Sequence, residues 1–223
     1  MKKALIVGIV ILCIGATILF LFPDIKKSID LDNGPPLIGV QPLGSVPQVE
    51  VDSVASAIEK MYGFEVQILD RKELPEMAYT EIRYPRYRAD SLVKWLTQEN
   101  PDTIDIIIGL THKDISITKY DEETKQIKEP EYMYKDFGIF GLGQVKGTAC
   151  IVSSNRLHKN VSNATFYKRL MRITCHEVGH VLGLKHCPEP NCLMNDANES
   201  IRTIDKSTGV LCEECVILID INQ

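Results

Sequence analysis

The sequence predicts an α/β layered domain preceded by one apolar helix, and three observations carry that expectation. Between Leu37 and Leu110, short apolar runs alternate with stretches of helical periodicity in the order strand, helix, strand, helix, strand. Asn163 to Leu182 carries apolar residues on two interleaved faces, the mark of a long helix buried on most sides. Ala4 to Phe22 holds no charged residue, and 19 residues at about 1.5 Å each reach about 28 Å, close to the thickness of a bilayer's hydrocarbon.

Taken in order, residues 1–22 read as a retained single-pass membrane anchor. Lys2 and Lys3 flank the apolar stretch, which ends in Leu19, Phe20, Leu21 and Phe22 rather than in the small residues of a cleavage site. The charges at its two ends are too evenly matched to set which side of the membrane the rest of the chain occupies. Residues 23–36 have little apolar content and a turn-forming Asn33-Gly34-Pro35-Pro36, so they read as a linker, and the folded domain is expected over 37–223. Leu37 to Pro42 predicts a strand, the pattern through Val54, Ile58 and Met61 a helix that stops at Gly63, and Phe64 to Leu69 a second strand. Ala89 to Leu96 reads as helix and Ile104 to Leu110 as a strand buried on both faces. Residues 121–136 are mostly charged and predict a solvated loop or hairpin excursion, with a rim over a substrate cleft as its functional reading. Phe137 to Gly147 resembles one weak, glycine-punctuated edge strand, and Ala149 to Ser153 a further strand.

Composition narrows the function classes. With 223 residues, 44% hydrophobic and 25% charged, the chain can bury one sizeable core. Its net charge of −5 repels nucleic acid, and no repeat or GK[ST] phosphate loop is present. The rarer residues are crowded instead: three of five histidines fall within 176–186, and four of seven cysteines within 187–215. A soft divalent ion is the expected reason.

The predicted buried helix contains His176, Glu177 and His180, written HEVGH. Four helical residues turn the chain about 400°, so both imidazoles lie on one face and can converge on one ion. Gly183 can end the helix by taking a positive φ, after which His186 can swing back as a third ligand. Three neutral imidazoles leave one tetrahedral position of Zn²⁺ open to water, and Glu177 stands close enough to take a proton from that water as general base. The full pattern HExxHxxGxxH arises by accident in a chain of this length on the order of once in 10⁵. Cys187, Cys192, Cys212 and Cys215 follow the spacing C-x₄-C-x₁₉-C-x₂-C. Four thiolates would close a structural zinc site; two disulfides are the alternative, with more weight if the domain lies outside a membrane.

The run from His176 to His186, with Met194 eight residues beyond, resembles the metzincin signature. HEVGHVLGLKHCPEPNCLMNDA, the late Cys-x-x-Cys and the preceding GLGQVKGTACIVSSNRL are similar to the archaemetzincins. The resemblance implies a zincin-like domain with a mixed twisted sheet, two long helices and a small C-terminal zinc-binding subdomain from about 184 that carries Met194. It also implies two zinc ions and hydrolysis of peptide bonds. Asp196, rather than tyrosine, stands two residues after Met194, so the tyrosine switch of some metzincins has no counterpart.

The expectation is therefore a membrane-anchored zinc metallopeptidase acting on a peptide or protein substrate. Its rival is a non-catalytic zinc-binding interaction protein in the same membrane. Cys150 and Cys175 read as small core residues, His112 and His158 as solvated surface histidines, and Tyr84, Arg86, Tyr87 and Arg88 as turn residues around Pro85. Asn160, Asn163 and Asn198 begin N-x-[ST] triplets, although Ser162 or Asn163 can equally cap the buried helix.

Overall fold

The computed structural model describes residues 34–197 and 200–219. In chain order these form β1 (Ile38–Leu43), α1 (Gln48–Tyr62), β2 (Val66–Ile68), β3 (Tyr79–Thr80), β4 (Arg86–Arg88), α2 (Ala89–Glu99), β5 (Ile106–Thr111), β6 (Ile115–Ile117), α3 (Glu131–Tyr134), β7 (Phe137–Ile139), β8 (Gly141–Gly143), β9 (Ala149–Ser153), α4 (Asn163–Val181), α5 (Ile201–Lys206) and α6 (Glu213–Leu218).

β1, β5 and β9 are buried at every position, as near-continuous apolar runs require when helices cover both faces of a parallel sheet. They sit in a five-stranded sheet of order β2-β1-β5-β9-β8, parallel throughout except for the antiparallel edge strand β8. Alternation divides their side chains between two cores. Ile38, Val40, Ile106, Ile108 and Val152 face α1 and α4, whereas Leu43, Ile107 and Ile151 face α2 and a second sheet of order β3-β4-β6-β7. Each such side chain, fully buried, contributes about 1.5–3 kcal/mol.

α1 buries Val51, Val54 and Ile58 at helical spacing and ends at Gly63, whose φ of 69° lets its N–H close back on the Glu59 carbonyl. α4 starts where the Ser162 hydroxyl accepts from the Thr165 N–H and lies beside α1, the Tyr62 hydroxyl donating to the Cys175 carbonyl. Cys150 and Cys175 are core residues, 0% and 2% exposed.

Four expectations need correction. The expected N-terminal membrane helix is not part of this fold: among the described residues no helix is long and apolar enough to cross a membrane. The longest, α4, carries Lys168, Arg169, Arg172 and Glu177 along its length, which hydrocarbon does not tolerate. Residues 4–22, on which that expectation fell, lie outside the described residues, as does Asn198. Phe137 to Gly147 is not one edge strand. It divides at Phe140 into β7, antiparallel to β6 in the second sheet, and β8, antiparallel to β9 in the first.

Arg86 is not a turn residue. It opens β4, is 7% exposed, and donates to Asp114 at 2.7 Å and to Asp136 at 3.1 Å, while Asp114 also takes two bonds from Arg156. Those carboxylates stand 28 and 50 residues further along the chain, beyond the range of any local pattern. Nor are both remaining histidines simply solvated. His112 is half-buried with its Nδ1 enclosed, and His158, though 55% exposed, stacks on Phe166 at 3.5 Å and lies 3.7 Å from the buried Glu50.

Candidate functional site

α4 ends in a pair of hydrogen bonds that set the site's geometry. Gly183 takes φ 106°, its N–H returns to the His180 carbonyl, and the Leu184 N–H returns to the Gly179 carbonyl. This is the Schellman arrangement, which reverses the chain. The reversal places the Leu184 carbonyl 2.8 Å from His180 Nδ1, and the Leu193 carbonyl lies 2.8 Å from His176 Nδ1. A carbonyl can only accept, so both Nδ1 atoms carry the proton and both Nε2 atoms are left with lone pairs. His186 comes round beyond the turn, and one ring nitrogen from each of His176, His180 and His186 falls within a sphere of mutual separation 4.8 Å. Burial depresses His176 to about 4, aided by the neighbouring imidazoles, and burial also lowers His180. Both rings are therefore neutral at pH 7, the form that ligates. The donor set fits a zinc ion.

Met194 is fully buried under this group, and its sulfur packs so closely on Gly179 that a Cβ there would lie 2.6 Å from it. Glu177 is 7% exposed and sits against the edge strand. A Cβ at Gly141 would stand 2.7 Å from Glu177 Oε1, and one at Gly143 would stand 2.5 Å from the Glu177 carbonyl. Glycine is thus required on β8 by space, not by dihedral angle. Burial raises the Glu177 carboxyl to about 8, against the pull of the Gly143 N–H.

The three histidines and Glu177 open on a cleft of about 810 Å³. One wall is β7 and β8; the far wall is formed by Asn195 to Ala197 and by Thr203, Ile204 and Ser207 at α5. Met133 and Asp136, from the charged excursion after β6, also line it, so that segment does reach the cleft.

Cys187, Cys192, Cys212 and Cys215 form a second group, their sulfurs all within 4.8 Å of one another. Cys187 and Cys212 are 3.7 Å apart and Cys192 and Cys215 3.9 Å, against about 2.0 Å for a bonded pair. Among the described residues no cysteine is in a disulfide. Backbone N–H groups of Glu189, Met194 and Cys212 point at these sulfurs at 3.4–3.5 Å, as donors do toward thiolates. Asn195 was not singled out from sequence. Its amide donates to the carbonyls of Cys187 and Glu189 at 2.8 and 2.7 Å, bracing the strand of chain between the two groups. Arg169, 6% exposed, was also missed; it grips Asp205 with two 2.7 Å bonds and ties α5 to α4. Neither has a sequence signature, because each depends on a distant carbonyl or carboxylate.

Residues 50–221 match the family model described as peptidase family M54. A curated relative named archaemetzincin, from Natronomonas pharaonis, is 27% identical over 186 residues, covering 80% of this chain and 96% of that protein. The crystal structure of archaemetzincin from Methanopyrus kandleri superimposes with a TM-score of 0.65 at 26% identity, covering 83% of this chain and 94% of its own. That from Archaeoglobus fulgidus, solved complexed with malonate, gives 0.63 at 27%, covering 82% and 99%. The matched domain takes up 94% and 99% of those two solved chains, and among the described residues no helix is long and apolar enough to cross a membrane, so the expected membrane anchor finds no support.

Proposed function

The chain belongs to peptidase family M54, the archaemetzincins, and is a zinc metallopeptidase that hydrolyses peptide bonds; from that premise we propose which of its residues do the work. His176, His180 and His186 hold the zinc through Nε2 of the first two and one ring nitrogen of the third. When bound there, zinc supplies Lewis acidity, polarising a carbonyl oxygen and bringing the pKa of water toward neutrality. Glu177 is the general base: it takes the proton of the attacking water and passes it to the departing amine. Its neighbours suit that role, since Gly141 lacks the Cβ that would strike the carboxylate and Gly143 lacks the one that would strike the Glu177 carbonyl, so the side chain can seat against β8. β8 pairs with β9 on one side only and offers its other side to an extended peptide, which would add to the sheet as a strand.

The observation that carries this reading is the meeting of three imidazoles and one buried carboxylate at the floor of a single cleft. A purely structural zinc protein needs no base beside its ligand, so the non-catalytic alternative is not favoured. Glu177→Gln tests the assignment. Zinc content by elemental analysis should stay unchanged while kcat falls by at least 10²–10⁴-fold; a variant that still turns over at the native rate removes Glu177 from the mechanism.

A second zinc, held by Cys187, Cys192, Cys212 and Cys215, accounts for the sulfur spacing. A tetrahedron with Zn–S bonds of about 2.3 Å has edges of about 3.8 Å, midway between the two separations found. Four thiolates leave no open position, so this ion is structural. Because Cys187 follows His186 directly, it would fix the backbone that presents the third histidine. Residues 37–223 then act as one catalytic unit whose part from about 184 carries the thiolates.

A further inference from the structure

The three histidines are not supported alike. His180 is buried and His176 half-buried, and each meets a backbone carbonyl 2.8 Å from its Nδ1. A ligating imidazole can rotate about its side-chain bonds and can carry its proton on either nitrogen; an acceptor on the nitrogen away from the metal removes both freedoms. His186 lies beyond the end of α4, its side chain is 49% exposed, and among the described residues no carbonyl bonds to its ring. The polar group that faces its Nδ1 is the Asp196 carboxylate, with Oδ2 3.9 Å away. The surrounding chain builds that approach. The Cys187 N–H donates to the Met194 carbonyl, and the Asn195 amide donates to the Cys187 and Glu189 carbonyls, so the two arms of the loop are clasped just beyond His186 and just before Asp196. Both side chains line the cleft. Asp196 is not a fourth member of the ligand group, because only the three imidazoles place nitrogens within 4.8 Å of one another and no Asp196 oxygen joins them.

We propose that Asp196 is the positioning residue of the third ligand: it accepts a hydrogen bond from His186 Nδ1–H and so directs Nε2 at the zinc. The inference rests on the histidine centre assigned above. A separation of 3.9 Å is that of an ion pair, and about 1 Å of motion in two half-exposed side chains brings it to the 2.7–2.9 Å, or about that, of a hydrogen bond to a carboxylate. The carboxylate then supplies for His186 what the Leu193 and Leu184 carbonyls supply for His176 and His180. Asp196, standing where some metzincins carry their tyrosine switch, acts on a metal ligand instead.

The test uses the zinc-loaded full-length chain. Long-range proton–nitrogen correlation spectra distinguish a ring metallated at Nε2 and protonated at Nδ1 from the reverse, and the signals of His186 are those missing in His186→Ala. In the wild type His186 should show the Nδ1–H form. In Asp196→Ala its Nδ1–H signal should be lost to exchange with water while those of His176 and His180, bonded to carbonyls, persist. Loss of all three signals is what a merely structural role predicts and overturns the proposal. Zinc at the histidine centre, followed by elemental analysis during chelator competition, should be held about tenfold more weakly in Asp196→Ala, the low end of the range of about 10–100-fold for such partners because this pair is half exposed. Metallation of His186 at Nδ1, or an affinity that the substitution leaves unchanged, overturns the proposal. Should Asp196→Ala not fold, Asp196→Asn, which keeps the size of the side chain and removes its charge, decides in its place: affinity should fall by about two- to fivefold, and an unchanged value counts against the proposal. If His186→Ala releases no zinc, the histidine centre itself is misassigned and this inference falls with it, an outcome distinct from a normal centre on which Asp196 has no effect.

Discussion

At the scale of single residues, the site depends on side chains that are absent as much as on those present. Gly141 shows this most sharply, because the space a Cβ would need is already taken by Glu177 Cγ and Oε1, both 2.7 Å from where it would lie. Gly141→Ala must push either the carboxylate or the edge strand by several tenths of an ångström to about 1 Å. A misplacement of that order costs on the order of 100-fold in rate, although the residue does no chemistry itself. Steady-state kinetics should therefore show kcat reduced on that scale with zinc content unaltered, whereas Gly147→Ala, beyond the same strand and away from Glu177, serves as the comparison. Equal kcat in wild type and Gly141→Ala would mean that Glu177 is not confined as its surroundings indicate. The buried thiols make the opposite point: burial pushes Cys175 up to about 12, so it stays protonated and inert and is not mistaken for a ligand.

At the scale of elements, α5 is tied to α4 by the Arg169–Asp205 ion pair and by Arg172, which donates to the Ile204 and Asp205 carbonyls, and the pH dependence of the ion pair has a definite sign. Arg169 holds the Asp205 carboxyl below the usual carboxylate range through two 2.7 Å bonds, outweighing the opposing effect of partial burial. A folded-state pKa below the unfolded value of about 3.9 gives stability that is fully present above pH 4 and is lost as pH falls through the depressed value. Asp205→Asn should lower stability at pH 7 by about 1–2 kcal/mol, discounted for an aspartate that is 36% exposed, and should flatten the acid limb of the pH–stability curve. Denaturant unfolding at pH 7 and pH 3 checks both, and a constant difference between variant and wild type at the two pH values would contradict the assignment. α5 also illustrates where sequence stops being informative. β1, β5 and β9 were legible as continuous apolar runs and α1 and α4 by helical periodicity, each signal contained within one segment. The division of 137–147 between two sheets was not, because nothing local distinguishes a strand that changes partner at Phe140 from one that continues. The Arg86–Asp114–Arg156 network and the Arg169–Asp205 pair were equally invisible, since only the folded chain brings those charges together.

At the scale of the whole molecule, the two ligand groups are not independent. They adjoin along the chain, His186 being followed directly by Cys187, and the Leu193 carbonyl that orients His176 is flanked by Cys192 and Met194. The Cys187 N–H donates to the Met194 carbonyl at 2.9 Å, and Asn195 braces the same turn. The histidine pattern alone identified the chemistry but not what steadies it, because two of the four cysteines, Cys212 and Cys215, come from beyond α5. Opening the sulfur group should consequently be felt at the histidines. Cys215→Ser removes one of four sulfurs, and zinc per chain should fall from two to one. The remaining ion should be lost to a competing chelator at 10–100-fold lower chelator concentration, as happens when groups orienting a ligand are removed. The reverse coupling should be weak, because His186 is exposed and its chain can relax without disturbing the sulfurs; His186→Ala should lose one zinc and leave the other as tightly held as before. Far-UV circular dichroism reports mainly the sheet, α1 and α4 and should stay close to native in both variants, although Cys192, Met194 and Cys215 belong to the core that those elements bury. Chelator titration with elemental zinc as readout separates the outcomes, and an unchanged histidine-site affinity in Cys215→Ser would make the two centres neighbours only in sequence.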